Sequence, residues 1–183
     1  MSLWLAYQLK TVLADFLGGS DILMVKWPND VCKVSSDGVS KVGGMLLERV
    51  DGYLYCGVGI NATAAPPLAI EPGDLPAGCF EMDGERVWER VQACLLRFAA
   101  TLIQQSSEHC EATAVDAVRG VEADMLGSLN RVTWFQKEGG GLTPMVPLEI
   151  VIPSGGLRVK TQEGERLLLK GSITGSVCVS PSS

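Results

Sequence analysis

Lys26-Trp27-Pro28-Asn29-Asp30 sets a cation, an indole, a rigid corner, an amide and a carboxylate at the end of a short apolar strand running from Ile22 to Trp27. Strand ends and the loops beyond them are where a fixed scaffold presents reactive groups. Pro-Asn-Asp is also ordinary turn chemistry, and alone these five residues favour a turn with Lys26 snorkelling to solvent. A second run follows, Lys41-Val42-Gly43-Gly44-Met45-Leu46-Leu47-Glu48. Paired glycines entering a strand remove side chains where something approaches the backbone closely, and the bared N–H groups could face an anion or a planar polar ligand. A bulge or bend explains the pair equally well. The third run, Gly57-Val58-Gly59-Ile60-Asn61, repeats the idea on the next strand. Its spacing is wrong for a dinucleotide fingerprint, and it ends a strand without opening a helix. The Asn61 amide both donates and accepts, which suits either adenine or a strand-end turn.

Outward from these runs, Leu5, Leu9, Val12, Leu13 and Phe16 fall on one face of a helix expected over Leu3 to Leu17 and ended by Gly18-Gly19. Lys33 to Ser40, with Asp37-Gly38 inside it, reads as a hairpin loop. Val42 to Val50 and Tyr53 to Ile60 are strands joined by Asp51-Gly52, a strong two-residue hairpin signal. Ala62 to Gly78 holds four of the nine prolines and reads as a surface loop. Asp83 is an N-cap for a helix striped by Val87, Val91, Leu95, Phe98 and Leu102. A weaker helix carries Val115, Val118, Val121 and Met125 and stops at Gly127. Beyond it lie five short strand-like segments: Val132 to Gln136, Leu148 to Ile152, Leu157 to Thr161, Arg166 to Leu169 and Ser176 to Val179. That density of strands and turn formers suggests a small SH3-like barrel.

Composition narrows the function classes. In 183 residues, 46% hydrophobic and 20% charged, there is material for a packed core and none of the signature of wholesale disorder. A net charge of −6 argues against sequence-independent binding to a phosphate backbone. Cys32, Cys56, Cys79, Cys94, Cys110 and Cys178 show no C-x-x-C pair, and with the single His109 they make no plausible zinc quartet. Free thiols in a reducing compartment are expected. The apolar run Leu3 to Leu17 contains Lys10 and Asp15, too short and charged to span a bilayer, and it lacks the features of a signal peptide. The chain is therefore read as soluble and cytoplasmic, with an organelle left open.

Taken in order, the three runs resemble the core of the biotin protein ligases, in the wider biotin/lipoate protein ligase superfamily. The sequence of elements agrees: a helix before the first run, a hairpin carrying the other two, then a loop and a long helix. The β-rich tail matches the small SH3-like domain in which those enzymes end. The resemblance implies an α+β fold, with a partial mixed sheet and helices over residues 1–126 and an SH3-like β-barrel over 127–183. It implies an activity as well: biotin and ATP give biotinyl-5′-AMP, and an acceptor lysine of a carboxylase domain then attacks the mixed anhydride. By this similarity Lys26 is the catalytic lysine. Asn29, Lys41 and Asn61 contact ATP or AMP. Val31, Gly44, Gly57, Gly59 and Ile60 make the biotin-binding wall. Asp30 is first a structural residue and second a candidate ligand for Mg²⁺.

One departure bears on activity. Biotin ligases carry a glycine- and arginine-rich loop over biotinyl-AMP, upstream of the helix that Leu3 to Leu17 matches. The sequence here opens at that helix, and Gly139-Gly140-Gly141 carries no arginine. The expectation is a ligase lacking the N-terminal part of its catalytic domain, inactive or weak alone. The alternatives are a non-catalytic ligase-like binding module and a lipoate or octanoate ligase relative. Expected partners are the carboxylase acceptor domain and a second copy, with neither nucleic acid nor membrane. Self-association would bury the stripe Leu5-Leu9-Val12-Phe16 or the sheet edge near Ile22 to Val25.

Overall fold

The structure is a computed structural model that describes residues 2–14, 17, 22–36, 38–67, 74–104, 107–127, 132–138, 141–151, 154, 156–169 and 172–177. Helix α1 (Ser2–Ala14) leads into a meander of four strands, β1 (Ile22–Lys26), β2 (Asp30–Ser35), β3 (Gly38–Val50) and β4 (Tyr53–Ile60). These lie side by side in chain order, every pair antiparallel. The mixed sheet expected from the sequence is thus an antiparallel one among the described residues. Its one parallel element is an isolated bridge between Lys41 and Ala77. Asp51 and Gly52 turn the β3–β4 hairpin with φ of 50° and 83°, the two positive values that a right-twisted two-residue loop needs.

Helices α2 (Gly84–Gln104) and α3 (Ser107–Gly127) follow. Asp83 caps α2 as its sequence position requires, Oδ1 accepting from the Glu85 amide at 3.0 Å. Val87, Val91 and Phe98 are buried and Leu95 half-buried, while the Leu102 side chain lies outside the described residues. Helix α1 ends at Ala14 rather than Leu17, closed by the Leu17 amide on the Ala14 carbonyl at 3.1 Å; Phe16 and Gly18-Gly19 lie outside the described residues. Leu3, Trp4, Leu5, Ala6, Leu9 and Leu13 are all buried, because α1 packs against α2, α3 and the first sheet at once. Trp4 meets Phe98 with ring centroids 5.0 Å apart. Of the stripe Leu5-Leu9-Val12-Phe16, Leu5 and Leu9 are buried within the chain and Val12 is half-buried. The β1 edge is covered too: Leu23, Met24 and Val25 are buried, and the Val25 amide donates to Asp124 of α3 at 3.1 Å.

The second sheet holds β5 (Val132–Glu138), β6 (Gly141–Val151), β7 (Gly156–Thr161), β8 (Gly164–Leu168) and β9 (Ser172–Val177), in the order β8-β7-β6-β5-β9. β8 and β9 stand at opposite ends with no pairing between them among the described residues, so these show an open antiparallel sheet where a closed barrel was expected. β6 begins seven residues before the expected Leu148. Pro147, inside the added stretch, adjoins a register shift, where no ladder donor is required. β9 begins at Ser172 rather than Ser176. Buried residues of both sheets, Trp134 among them, form one contiguous cluster with Trp27 of the turn after β1.

Cys32 is fully buried in β2, and burial pushes its thiol up from an ordinary 9.0 to about 12. The folded chain then keeps a proton that the unfolded chain releases. Stability is expected to fall by about 1.4 kcal/mol per pH unit between pH 9 and 12. Urea denaturation at pH 8 and 10 checks this: Cys32→Ala should flatten the slope, and an unchanged slope would refute the assignment. Cys56, Cys79 and Cys94 are likewise free, as expected, while the Cys110 side chain and Cys178 lie outside the described residues. No described helix is long and apolar enough to cross a membrane.

Candidate functional site

The alternation of β3 and β4 builds the site. Gly44 pairs with Gly59 and Leu46 with Gly57, so one face of the hairpin carries three glycines in two adjacent rows. Asp30 of β2 pairs with Gly44 and extends the upper row. A cavity of about 660 Å³ lies on this face. Asn29, Asp30, Lys41, Gly44, Gly57, Gly59 and Asn61 all line it. A β-carbon on Gly59 would meet nothing within 4 Å, and one on Gly57 only Leu46 at 3.9 Å. Their missing side chains open space above the strand and serve no packing need. Gly43, which also lines the cavity, is different: a β-carbon there would lie 2.6 Å from Ile60 Cδ1 and 2.8 Å from the Gly59 carbonyl oxygen.

Three of the residues predicted from the sequence are placed elsewhere. Val31 is fully buried on the opposite face, and Ile60, paired with Gly43, also belongs to that face; neither lines the cavity. Lys26 does not line it either. Its side chain is buried, with Nζ 2.9 Å from Asp30 Oδ2 and donating to the Ile173 carbonyl of β9 at 2.9 Å. Asp30 Oδ1 holds Lys41 Nζ at 2.6 Å. One carboxylate between two ammonium groups leaves a net positive charge, with Lys41 half-exposed and Lys26 in reserve behind Asp30. Buried ions persist when paired and hydrogen-bonded in this way. Both Asp30 oxygens are thereby engaged, and no group of three His, Cys, Asp or Glu able to hold a metal occurs among the described residues.

The asparagines are partly committed to the scaffold. Asn29 Nδ2 donates to the Met45 carbonyl. Asn61 Nδ2 donates to the carbonyls of Gly78 at 2.8 Å and Lys41 at 3.3 Å, which ties β3 to the returning loop. That loop was read from its prolines as a mere surface connection. It forms a wall instead: Pro66, Asp74, Leu75 and Ala77 line the cavity, and the Lys41 amide donates to the Pro76 carbonyl at 2.8 Å. Asp74 is held in turn by Lys137 of β5 at 2.9 Å. The Lys41–Ala77 pairing has no local sequence signal, and neither does the reach of the second sheet to Asp74 and Lys26.

This fold is similar to that of solved biotin protein ligases. The structure from Aquifex aeolicus in complex with biotin and ATP matches 95% of this chain and 69% of its own, at 21% identity and a TM-score of 0.61. The apo structure of the same ligase matches 94% and 72%, at 20% identity and 0.60. The Leishmania major ligase in complex with biotinyl-5-AMP matches 98% and 70%, at 17% identity and 0.51. No protein-family model and no curated protein matches the sequence.

Proposed function

We propose that the chain is the adenylate-binding part of a biotin–protein ligase, with residues 1–126 carrying the cleft and 127–183 the supporting sheet. The observation that carries this reading is the glycine floor of Gly44, Gly57 and Gly59 running up to the Lys26–Asp30–Lys41 cluster, in a fold similar to ligases solved with biotin, ATP and biotinyl-5-AMP. An extended acyl-adenylate suits a side-chain-free floor with net positive charge at one end. In the first step a biotin carboxylate oxygen bonds to the α-phosphorus of ATP and the bond to pyrophosphate breaks. In the second an acceptor lysine amine, from a carboxylase domain, attacks the acyl carbon and AMP leaves. Lys26 and Lys41 stabilise the negative charge that both steps develop. At ~4 Å and an effective dielectric of 20, each cation contributes roughly 4 kcal/mol to a unit negative charge. Lys26 must turn from Asp30 towards the cleft to act; Lys41 already lines it. A reading as a binding module without catalysis is favoured by the same withdrawn position of Lys26. An intracellular site of action goes with the proposed substrates.

Calorimetric titration of biotin, ATP and biotinyl-5′-AMP against the chain tests the proposal. The adenylate is expected to bind more tightly than either precursor. Gly59→Val should weaken it at least tenfold with melting unchanged, because its side chain enters open space above the strand. Gly43→Ala should instead lower stability by about 1–3 kcal/mol, since its β-carbon meets the Gly59 backbone. Adenylate binding that is undetectable, or indifferent to Gly59→Val, would overturn the cleft assignment.

A further inference from the structure

A second cavity, of about 280 Å³, lies between helices α1 and α2 and shares no residue with the cleft. Trp4, Gln8 and Thr11 reach it at i, i+4 and i+7 on α1, and Cys94, Arg97 and Thr101 at i, i+3 and i+7 on α2. Trp4 and Phe98 give it aromatic walls, with their ring planes tilted by 59°. Trp4 is 4% exposed, and its indole N–H meets no acceptor among the described residues. Buried polar groups in native proteins are nearly always hydrogen-bonded, so a buried donor left over calls for an acceptor.

The rest of the lining decides which acceptor. The Thr11 and Thr101 hydroxyls donate to the carbonyls of Tyr7 and Arg97, each at 2.9 Å, and a hydroxyl has one proton to give. No carboxylate lines the cavity among the described residues, and none of these pairs with Arg97. The Arg97 charge is felt inside: burial pushes the Cys94 thiol up, and Arg97 draws it back down. The lining thus offers N–H donors and a positive charge beside two aromatic rings. Its size falls just below the roughly 300–1,000 Å³ of pockets that take drug-sized ligands, which leaves room for a single ring and not for a nucleotide. An inorganic phosphate would leave the rings uncovered. We infer that the α1–α2 cavity is an accessory binding site for a small aromatic carboxylate. The carboxylate accepts from the Arg97 guanidinium and the Trp4 indole, and the ring packs with Phe98. The inference is independent of what the cleft on the sheet binds.

Proton–nitrogen correlation spectra of the full 183-residue chain test this, since each of its four tryptophans gives one indole N–H signal. The Trp4 signal is assigned through its contact with the Phe98 ring. Benzoate is the probe, with benzamide and inorganic phosphate as controls. Benzoate is expected to move the Trp4 signal downfield and saturably, with a Kd of ~1 mM or tighter for so small a ligand. Benzamide and phosphate should each bind at least tenfold more weakly. Arg97→Gln should remove the preference for benzoate over benzamide and leave the melting temperature unchanged, because Arg97 is exposed. Alkylation of Cys94 by iodoacetamide, read by mass spectrometry, should slow at least tenfold under saturating benzoate. A Trp4 signal that does not move at about ten times that concentration would overturn the inference. So would equal binding of benzamide, tighter binding of phosphate, or an unchanged preference in Arg97→Gln.

Discussion

Lys26→Ala is expected to lower biotin-dependent pyrophosphate release from ATP by about 10²–10³-fold, the usual cost of removing one stabiliser of developing charge. Lys41 remains in that variant, but it is half-exposed and screened, so its own alanine variant should lose less. Lys26→Arg should not restore the rate. The lysine is a compact point charge on a flexible stem that can follow the negative charge from carboxylate to anhydride, and a planar guanidinium locked onto Asp30 cannot. Rates are read by coupled pyrophosphate assay. A lysine-independent rate would remove Lys26 from the chemistry. No biotin-dependent signal from the wild type would leave the binding-module reading standing in place of the catalytic one.

Trp27→Ala is expected to cost about 3–5 kcal/mol of folding stability, a large share of the 5–15 kcal/mol that a typical domain holds. Trp27 is 1% exposed, among the largest fully buried side chains, and it stands next to Lys26 in the shared core. Trp88, 57% exposed on α2, supplies the control: Trp88→Ala should change stability by less than about 0.5 kcal/mol. Urea denaturation of both variants decides the matter, and a loss under ~1 kcal/mol at Trp27 would show that the site turn is held from elsewhere.

What was legible in the sequence was local. The Asp51-Gly52 hairpin, the Asp83 cap and the glycine floor each depend on residues a few positions apart, or on strands joined by a tight turn, and each is found in the structure. Position across the sheet was harder to read. Val31 and Ile60 look like pocket walls in a linear motif, but period-two alternation sends them to the face opposite Gly44 and Gly59. The periodicity of α1 suggested a single apolar face; the helix is packed on several sides, so Leu3, Trp4 and Ala6 are buried along with Leu5, Leu9 and Leu13. The position of Lys26 depends on Ile173, 147 residues away, and the loop wall depends on a bridge between Lys41 and Ala77. No window of sequence carries such pairings, because they are fixed only when the two sheets come together.

Lys137, which holds Asp74, and Ile173, which accepts from Lys26, lie on the paired strands β5 and β9, where Lys137 faces Ser172. The second sheet therefore holds one residue of the cleft wall, Asp74, and the lysine behind Asp30. Coupling between sites is reciprocal: if order in β5 and β9 sets the affinity of the cleft for an anion, the anion must order β5 and β9 by the same free energy. A ligand arriving at the glycine floor would be registered in strands it never touches, and the carboxy-terminal sheet would report occupancy as directly as the lysines do.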